Sequence, residues 1–294
     1  MAKITIFGGG AWGSALCFAF SQKNKAYIVS RRNLNLKEQI SIKDAQNSDY
    51  FVIAIATSAL KSWLQTTPLP QDSKILIASK GIVDGKFVHE IFSQFYPLNN
   101  LCFLAGPSFA KEVRSSLPCA LNIHSANLEL AKEWIPLFPQ FIKPYVCGDV
   151  VGGEIGGAYK NVIAIASGIC EGLGLGQNAR ASLVARGLVE MTRFGVHFDA
   201  LDSTFLGLSG AGDLFLTANS TLSRNFRVGL GLAQNKPLAQ VLAELGEVAE
   251  GVKTAHEIHT LAQKHNIYTP IAKEVSLVIN GKNPKQSLLD LMKL

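Results

Sequence analysis

KITIF-GGGAWG-SALCFAF, residues 3–20, predicts the fold of the first half of this chain. An apolar run typical of a β-strand leads into G-x-G-x-x-G, and an apolar helical sequence follows the last glycine. In this pattern Gly8 permits the tight turn, Gly10 lets a pyrophosphate approach the backbone, and Gly13 allows close packing of helix against strand. The phosphates would face the N–H groups and the positive dipole end of the helix. The stretch therefore predicts a dinucleotide-binding turn, against the alternative of a glycine-rich turn without a ligand.

Length and composition limit the class of protein. The 294 residues predict about two domains, and an apolar content of 48% is enough for sizeable cores. The net charge of +6 comes from dispersed basic residues, so we expect no nucleic-acid partner, and a phosphorylated small molecule suits the charge. Five scattered cysteines without a C-x-x-C pair indicate a reduced, cytoplasmic protein with buried thiols. Since no apolar run reaches the roughly 18 residues that cross a bilayer, we expect no membrane insertion.

The apolar pattern divides the chain in two. Up to residue 150, short apolar runs alternate with helical stretches, which indicates a parallel sheet covered by helices on both faces. The predicted strands are Ile4–Phe7, Ala26–Ser30, Phe51–Ile55, Ile75–Ser79, Leu101–Ala105 and, as a sixth candidate, Tyr145–Val146. After Gly152-Gly153, apolar residues at three- and four-residue spacing are typical of helices. The predicted helices there are Ala158–Gly168, Ala179–Phe198, Phe226–Gln234, Leu238–Leu245, Thr254–His265 and Pro270–Val278. We therefore expect an α/β fold, with a doubly wound, Rossmann-like sheet domain over residues 1–150 and an all-α domain over residues 151–294.

The end of the second predicted strand bears on the choice of dinucleotide. NAD-preferring sites often place an acidic residue here that binds the ribose 2′-OH, whereas this strand ends in Ser30-Arg31-Arg32 without a carboxylate. A guanidinium can hold a 2′-phosphate through two hydrogen bonds, so Arg31 and Arg32 favour NADPH over NADH as the cofactor. The alternative is a pair of solvated arginines at a strand end.

Several further segments combine residue types that are useful in chemistry. Ser79-Lys80-Gly81 and Ala105-Gly106-Pro107-Ser108 follow the fourth and fifth predicted strands, where doubly wound sheets bind their ligands. In the second half, GGAYKNVIAI, residues 156–165, places a lysine and an asparagine among apolar residues of a predicted helix. Two polar segments follow it along the chain, Gly210-Ala211-Gly212-Asp213-Leu214 and Ser223-Arg224-Asn225.

Taken together, these segments resemble those of the NAD(P)-dependent sn-glycerol-3-phosphate dehydrogenases of the bacterial type. The resemblance covers nearly the whole chain, because the motifs occur in order: the glycine turn, S-K-G, A-G-P-S-F-A-K-E, G-G-A-Y-K-N-V-I-A-I, G-Q-N-A-R, G-A-G-D-L, S-R-N and Glu250-Gly251. It implies a two-domain enzyme that interconverts dihydroxyacetone phosphate and glycerol 3-phosphate with NADPH or NADH. It also implies that the product serves phospholipid synthesis.

The resemblance assigns chemical roles to three residues. Lys160 matches the catalytic lysine of the family, and its ammonium would stabilise the charge that develops on the carbonyl oxygen and donate a proton to it. The alternative is a helical lysine whose stem lies on apolar surface while its charge stays in water. Lys80 looks like the second lysine of the site, a cation that would help Lys160 to release its proton. Asp213 matches the acidic residue that binds the substrate hydroxyl or orients Lys160, and its alternative role is a helix cap.

Other matches concern the substrate phosphate and the cofactor. Arg224 and Asn225 match contacts to both molecules, and Ser223 either touches phosphate or caps the helix that follows it. The predicted substrate-binding residues are Lys80, Gly106, Ser108, Lys160, Asp213, Ser223, Arg224 and Asn225. The predicted cofactor-binding residues are Gly8, Gly10, Ala11, Trp12, Gly13, Arg31, Arg32, Lys80, Ala110, Arg224, Val248 and Glu250. We expect no metal site, since His256 and His259 have no evident third ligand nearby in the sequence.

Two departures from the family pattern concern the cofactor. Ala11 stands where the family usually has a serine or a similar small polar residue, so a side-chain hydrogen bond to the pyrophosphate is lost. Residues 33–42, NLNLKEQISI, are shorter than the proline-containing loop that is typical of the family. The shortening predicts that the adenosine side of the cofactor site is less enclosed.

Two other functions compete with this interpretation. A reductase that acts on a β-hydroxyacid would share the fold, but it needs a carboxylate clamp, and Ser223-Arg224-Asn225 is a motif suited to phosphate. A dinucleotide-sensing module would not need Lys160 with Asp213, and it would often include a DNA- or partner-binding segment, of which the sequence gives no sign. We also expect a homodimer, although no stretch of the sequence specifies the assembly.

Overall fold

The computed structural model of the protein describes residues 1–246 and 248–293. Its strands are β1 (Lys3–Phe7), β2 (Lys25–Val29), β3 (Tyr50–Ile53), β4 (Lys74–Ile77), β5 (Ile82–Val83), β6 (Lys86–Phe87), β7 (Leu101–Ala105), β8 (Cys119–His124) and β9 (Ile142–Cys147). Its α-helices are α1 (Ala11–Ser21), α2 (Ile42–Ala45), α3 (Leu60–Thr66), α4 (Val88–Phe92), α5 (Ala110–Arg114), α6 (Leu128–Trp134), α7 (Val150–Gly172), α8 (Gly176–His197), α9 (Asp202–Leu206), α10 (Asp213–Ala218), α11 (Arg224–Ala233), α12 (Leu238–Leu245), α13 (Glu250–Lys264), α14 (Pro270–Ile279) and α15 (Pro284–Lys293). The chain separates into two compact units, one of Met1–Lys80 with Lys86–Gly153, and one of Gly81–Gly85 with the residues from Glu154 onward.

The first unit contains a seven-stranded sheet in the order β2-β1-β3-β4-β7-β8-β9. Strands β2, β1, β3, β4 and β7 run parallel, β8 is antiparallel to β7, and β9 is parallel to β8. The strand order reverses at β1, where Phe7 lies opposite Val29 of β2 on one side and Ile53 of β3 on the other. Doubly wound sheets bind their ligands at such a switch point, beyond the carboxyl ends of the strands.

The sheet is buried because its strands are apolar on both faces. Ile4 and Ile6 of β1 are fully buried, and Leu16 and Phe20 of α1 are buried in the same apolar cluster. The aromatic rings of Phe20 and Trp134 lie 6.1 Å apart in this core. Each such side chain stabilises the fold by roughly 1.5–3 kcal/mol on burial, which holds the end of β1 and the start of α1 in place.

The predicted α/β class and the six predicted strands are confirmed, with strand ends displaced by a few residues. The sheet is mainly parallel, as predicted, but it contains one strand that was not predicted, β8, which runs antiparallel to β7. Asn122 and His124 interrupt the apolar pattern of β8, so the sequence gives no continuous apolar run there. Leu121 and Ile123 nevertheless supply fully buried side chains from this strand.

The described residues from Glu154 onward form helices and no strand, as the sequence predicts. Helix α7 is longer than predicted and includes Gly152-Gly153, the point at which the sequence pattern changes. The short helices α9 and α10, the π-helical turn Leu208–Gly212 between them and the terminal helix α15 were not predicted. Within the described ranges, no helix combines the length and apolar character that crossing a membrane requires.

The cysteines differ in burial. In the described structure all five thiols are free, and Cys17, Cys102 and Cys170 are buried. The expectation of buried thiols is wrong for Cys119 and Cys147, which are half-buried on β8 and β9 because they lie near strand ends. Burial raises the pKa of Cys17 and of Cys102 to about 12, so these two thiols stay protonated and unreactive.

Candidate functional site

The glycine turn joins the end of β1 to the start of α1. Gly8 has a φ of +123°, and a Cβ there would overlap the carbonyl oxygen of Ala54 at the end of β3. A Cβ on Gly13 would overlap the carbonyl oxygen of Gly8. Backbone therefore approaches backbone at both positions, and only glycine lets the first strand, the turn and the helix pack this closely.

Gly10 differs from these two glycines. It occupies the N-cap position of α1 with a φ of −80°, and no side chain caps the helix there. A Cβ on Gly10 would meet no atom of the described residues within 4 Å. Open space thus lies directly before a helix N-terminus whose N–H groups point outward, which fits a dinucleotide pyrophosphate.

The predicted cofactor arginines follow β2, and the structure brings one of them to the glycine turn. Both arginines are exposed, and the Arg32 guanidinium donates a hydrogen bond of 3.1 Å to the carbonyl oxygen of Gly9. Gln39, which the sequence did not single out, fixes this loop. Its amide donates to the Arg32 carbonyl at 2.9 Å and accepts from the Leu34 N–H at 2.8 Å. A lone glutamine in a polar segment gives no signal by which this role could have been found.

The shortened segment 33–42 returns to the edge of the sheet. The Ile28 N–H donates to the carbonyl of Glu38 at 2.9 Å, and the Ile40 N–H donates to the carbonyl of Ile28 at 3.0 Å. The segment thereby covers the outer edge of β2. The side chain of Leu34 lies close enough to Gly9 that a Cβ on that glycine would overlap it. The short loop therefore lines the glycine turn directly.

Lys80, Gly106 and Ser108 lie in the first unit beyond the ends of β4 and β7. The Thr57 hydroxyl donates to the Lys80 carbonyl at 2.9 Å, and the Ser79 hydroxyl donates to the carbonyl of Ile55 at 2.6 Å. Gly106 has a φ of +126°, and the Ser108 hydroxyl donates to its carbonyl at 3.2 Å. Ala110 begins the short helix α5 that follows.

His124, at the end of β8, is fully buried, and its sequence context did not predict a role for it. Its Nδ1 donates to the carbonyl of Asp149 at 2.6 Å, and a Cβ on Gly153 would overlap its ring. Burial lowers the pKa of His124 to about 4, and the charge of Lys80 adds to this effect. The imidazole is therefore neutral at pH 7, which the isolated histidine in the sequence does not reveal.

In the second unit, the ammonium of Lys160 forms an ion pair with the carboxylate of Asp213. The Lys160 side chain is 11% exposed and that of Asp213 is 1% exposed, so the pair is largely removed from water. Gly156, one turn before Lys160 on α7, permits this contact. A Cβ on Gly156 would overlap the carbonyl oxygen of Ser209, so the helix lies directly against the π-helical turn that leads to Asp213.

Asp213 is the first residue of α10, and Gly212 occupies the N-cap position. The helix-cap alternative for Asp213 is therefore not what the structure shows. The Thr217 hydroxyl, one turn further along α10, donates to the Asp213 carboxylate at 3.4 Å. Five residues of the preceding chain form a π-helical turn, a rare conformation that occurs often at functional sites.

The start of α11 is fixed by a chain of hydrogen bonds that reaches α7. Ser223 caps α11, because its hydroxyl accepts a hydrogen bond from the Phe226 N–H at 3.2 Å. The Asn225 amide donates to the Asn161 side chain at 2.8 Å, and its oxygen accepts from the Gly251 N–H at 3.0 Å. Asn161, the residue after Lys160, is thus hydrogen-bonded to Asn225, the residue after Arg224.

The other predicted residues differ in exposure and position. Arg224 and Val248 are exposed, Glu250 is half-buried at the start of α13, and Ala11 and Trp12 begin α1.

Family models, related sequences and solved structures all match this chain to glycerol-3-phosphate dehydrogenases. The family model described as the NAD-dependent glycerol-3-phosphate dehydrogenase N-terminus matches residues 33–131, and the model of its C-terminus matches residues 149–290. A glycerol-3-phosphate dehydrogenase, NAD(P)+, of Bartonella bacilliformis is 59% identical, with 99% of each chain covered. A protein of the same name from Wolinella succinogenes is 60% identical, with 98% of each chain covered. The crystal structure of a glycerol-3-phosphate dehydrogenase from Coxiella burnetii is similar with a TM-score of 0.92 at 29% identity, over 100% of this chain and 99% of that one.

Proposed function

Because the chain belongs to the family of NAD-dependent glycerol-3-phosphate dehydrogenases, we propose that it interconverts dihydroxyacetone phosphate and sn-glycerol 3-phosphate by hydride transfer, with NADPH or NADH as cofactor. The glycerol 3-phosphate then serves phospholipid synthesis. The observation that supports this function best in the structure is the Lys160–Asp213 ion pair, since it provides a largely buried proton donor held by a carboxylate.

Lys160 is the acid and base of the reaction. A reduced nicotinamide, when bound, would supply the hydride that adds to the carbonyl carbon of dihydroxyacetone phosphate. As the carbonyl oxygen gains negative charge, the Lys160 ammonium stabilises it and donates a proton to it. In the opposite direction, the neutral amine of Lys160 accepts the proton of the hydroxyl group. Asp213 orients the amine of Lys160 in both directions. The positive charge of Lys80 helps Lys160 to release its proton.

Arg224 and the N-terminus of α11 bind the substrate phosphate. An exposed guanidinium at the first position of a helix combines a charged fork with backbone N–H donors, and a phosphate dianion suits both. Ser223 supports this site as the helix cap, and Asn225 holds the helix start through Asn161 and Gly251. Gly106 and Ser108 add contacts to the substrate.

Gly8, Gly10 and Gly13 of the glycine turn, with Ala11 and Trp12 at the start of α1, would hold the pyrophosphate of the cofactor. Arg31 and Arg32 bind the 2′-phosphate, which makes NADPH the preferred cofactor. We assign further cofactor contacts to Lys80, Ala110, Arg224, Val248 and Glu250. Under this proposal residues 1–150 form the dinucleotide-binding domain, and residues 151–294 form the substrate domain.

We place the protein in the cytoplasm, because all five cysteine thiols are free in the described structure and such thiols persist in a reducing compartment. The homodimer stays a prediction, and analytical ultracentrifugation of the purified protein tests it.

One assay tests the function and separates it from its competitors. Purified protein is mixed with NADPH, and the absorbance of the reduced nicotinamide is followed after addition of dihydroxyacetone phosphate or of a 3-oxoacid. We expect a decrease only with dihydroxyacetone phosphate. A decrease only with the 3-oxoacid would indicate a β-hydroxyacid reductase, and no decrease with either would favour a dinucleotide-sensing module.

A further inference from the structure

A buried carboxylate, that of Glu190 on α8, connects three helices directly beside the Lys160 position. Glu190 is 2% exposed and accepts three hydrogen bonds, each 2.8 Å long. One comes from the phenol hydroxyl of Tyr159 on α7, and the others come from the N–H groups of Ile271 and Ala272 on α14. The family motifs found in the sequence give Glu190 no role, and it takes no part in the proton transfer described above.

The carboxylate replaces the missing cap of α14. Pro270 has no N–H, and Thr269 makes no side-chain capping bond within the described residues. The next two N–H groups of the first turn would lack partners inside the helix, and both donate to Glu190. A carboxylate at a helix N-terminus is also favoured by the helix dipole. Two N–H groups at the N-terminus of α14 therefore hold the Glu190 carboxylate in place.

The remaining hydrogen bond sets the rotation of α7. Tyr159 is fully buried, and its ring lies 5.4 Å from that of Phe194. One turn later on α7, Ile163 lies so close to Gly187 of α8 that a Cβ on this glycine would overlap it. The face of α7 that contains Tyr159 and Ile163 is thus packed against α8. The hydrogen bond from Tyr159 to Glu190 holds this face in place at the helical turn that contains Lys160.

Lys160 follows Tyr159 in the sequence, and consecutive helical residues point about 100° apart. When Tyr159 is held by Glu190, the Lys160 side chain is directed to Asp213 on α10. We propose that the Tyr159–Glu190 hydrogen bond is the positioning element of Lys160, which sets the angle at which its ammonium meets Asp213 and the substrate oxygen. This inference rests on the proposed function of Lys160 in proton transfer.

The test compares Tyr159→Phe with Tyr96→Phe. Tyr96 is also buried, at 3% exposure, and its hydroxyl accepts the Leu69 N–H at 2.8 Å in the first unit. Both variants lose one buried hydroxyl, so a purely structural role predicts a similar small decrease in Tm and no change in turnover for either. We expect kcat of Tyr159→Phe to fall roughly tenfold, with KM for dihydroxyacetone phosphate within twofold of wild type, because a misplaced catalytic group slows chemistry more than binding. Tyr96→Phe should keep wild-type kcat.

Two further measurements test whether Tyr159 acts through Lys160, one on Glu190→Gln and one on Tyr159→Phe combined with Asp213→Asn. In Glu190→Gln the amide oxygen can still accept from Tyr159 and Ala272, while its NH2 faces the Ile271 N–H, so this variant should lower Tm but keep kcat within about threefold of wild type. In an Asp213→Asn background, Tyr159→Phe should lower kcat less than twofold further, because the two changes act through the same ammonium. A kcat of Tyr159→Phe equal to that of Tyr96→Phe, or a full tenfold loss in the Asp213→Asn background, would overturn the inference. Absence of turnover in the wild-type protein would instead refute the proposed function itself.

Discussion

Lys160 and Asp213 form an ion pair that depends on residues far apart in the sequence. A lysine among apolar residues of a helix is visible in the sequence, but its partner lies 53 residues further along the chain, at the end of an unpredicted π-helical turn. The resemblance to the family predicted a role for both residues. Folding brings their side chains together in the second unit. Removing either partner would leave the other as a poorly hydrated, uncompensated charge, which is strongly unfavourable.

Arg224 is the residue to which we assign the substrate phosphate. Arg224→Ala should raise KM for dihydroxyacetone phosphate at least tenfold, because a charge-assisted hydrogen bond contributes about 1.5–3 kcal/mol. Steady-state kinetics of this variant are compared with those of Arg186→Ala, which removes an exposed arginine of α8. Equal KM values for the two variants would show that Arg224 does not bind the phosphate.

Arg31 and Arg32 determine the cofactor preference under our proposal. The double variant Arg31→Ala, Arg32→Ala should lose about tenfold or more in kcat/KM for NADPH, since the 2′-phosphate loses its guanidinium partners. Its kcat/KM for NADH should stay close to that of wild type, which makes NADH the internal control. If wild type and the double variant both use the two cofactors equally well, these arginines are solvated and the NADPH assignment is wrong.

His124 makes the stability of the fold depend on pH. Because its folded-state pKa is lowered to about 4, the unfolded chain takes up a proton near pH 6.5 while the folded chain does not. This part of the stability is complete above pH 6.5 and is lost as the pH falls towards 4. Between pH 7 and 4.5 the wild type should therefore lose about 2.5 kcal/mol more free energy of unfolding than His124→Gln, as measured by urea titration. The same loss in both proteins would mean that His124 titrates normally.

Secondary-structure elements could be predicted where their apolar pattern is continuous. Strand β1 and helix α1 are nearly as expected, because an apolar strand, three glycines and an apolar helix leave few alternatives. Strand β8 and helices α9 and α10 were missed for a physical reason. In β8 the polar residues Asn122 and His124 interrupt the apolar run. Helices α9 and α10 have only five and six residues, too few to show a helical period, and they are stabilised by packing against α8.

The glycine turn permits a prediction in which two glycines of one motif behave differently. Gly8→Ala should lower the free energy of unfolding by about 1–3 kcal/mol, because its φ is positive and its Cβ meets the Ala54 carbonyl. Gly10→Ala should leave Tm unchanged but raise KM for NADPH about tenfold or more, because its Cβ enters the open space before α1. Thermal melts and kinetics of both variants decide this, and normal NADPH binding by Gly10→Ala would place the pyrophosphate elsewhere.

For the molecule as a whole, the sequence predicted the order of a sheet-forming half and a helical half, because the hydrophobic period changes from strand-like runs to helical spacing. It could not predict that Gly81–Gly85 belongs with the helical unit, where the Gly85 N–H donates to Glu257 of α13 at 2.9 Å. It also gave no sign of three residues whose hydrogen bonds hold neighbouring segments in place, Gln39 and His124 in the first unit and Glu190 in the second. These residues are ordinary in sequence, and their roles arise only from the neighbours that folding brings to them.

The role of Lys160 in proton transfer is tested by kcat of Lys160→Ala for NADPH-dependent reduction of dihydroxyacetone phosphate. The matched control is Lys236→Ala, which removes another ion-paired lysine of the same unit, the partner of Glu244. Positioned acid–base groups accelerate reactions by roughly 10²–10⁴-fold, so Lys160→Ala should keep less than about 1% of wild-type kcat while the control keeps nearly all of it. A folded Lys160→Ala protein that retained more than about a tenth of wild-type kcat would show that Lys160 is not the acid and base of the reaction.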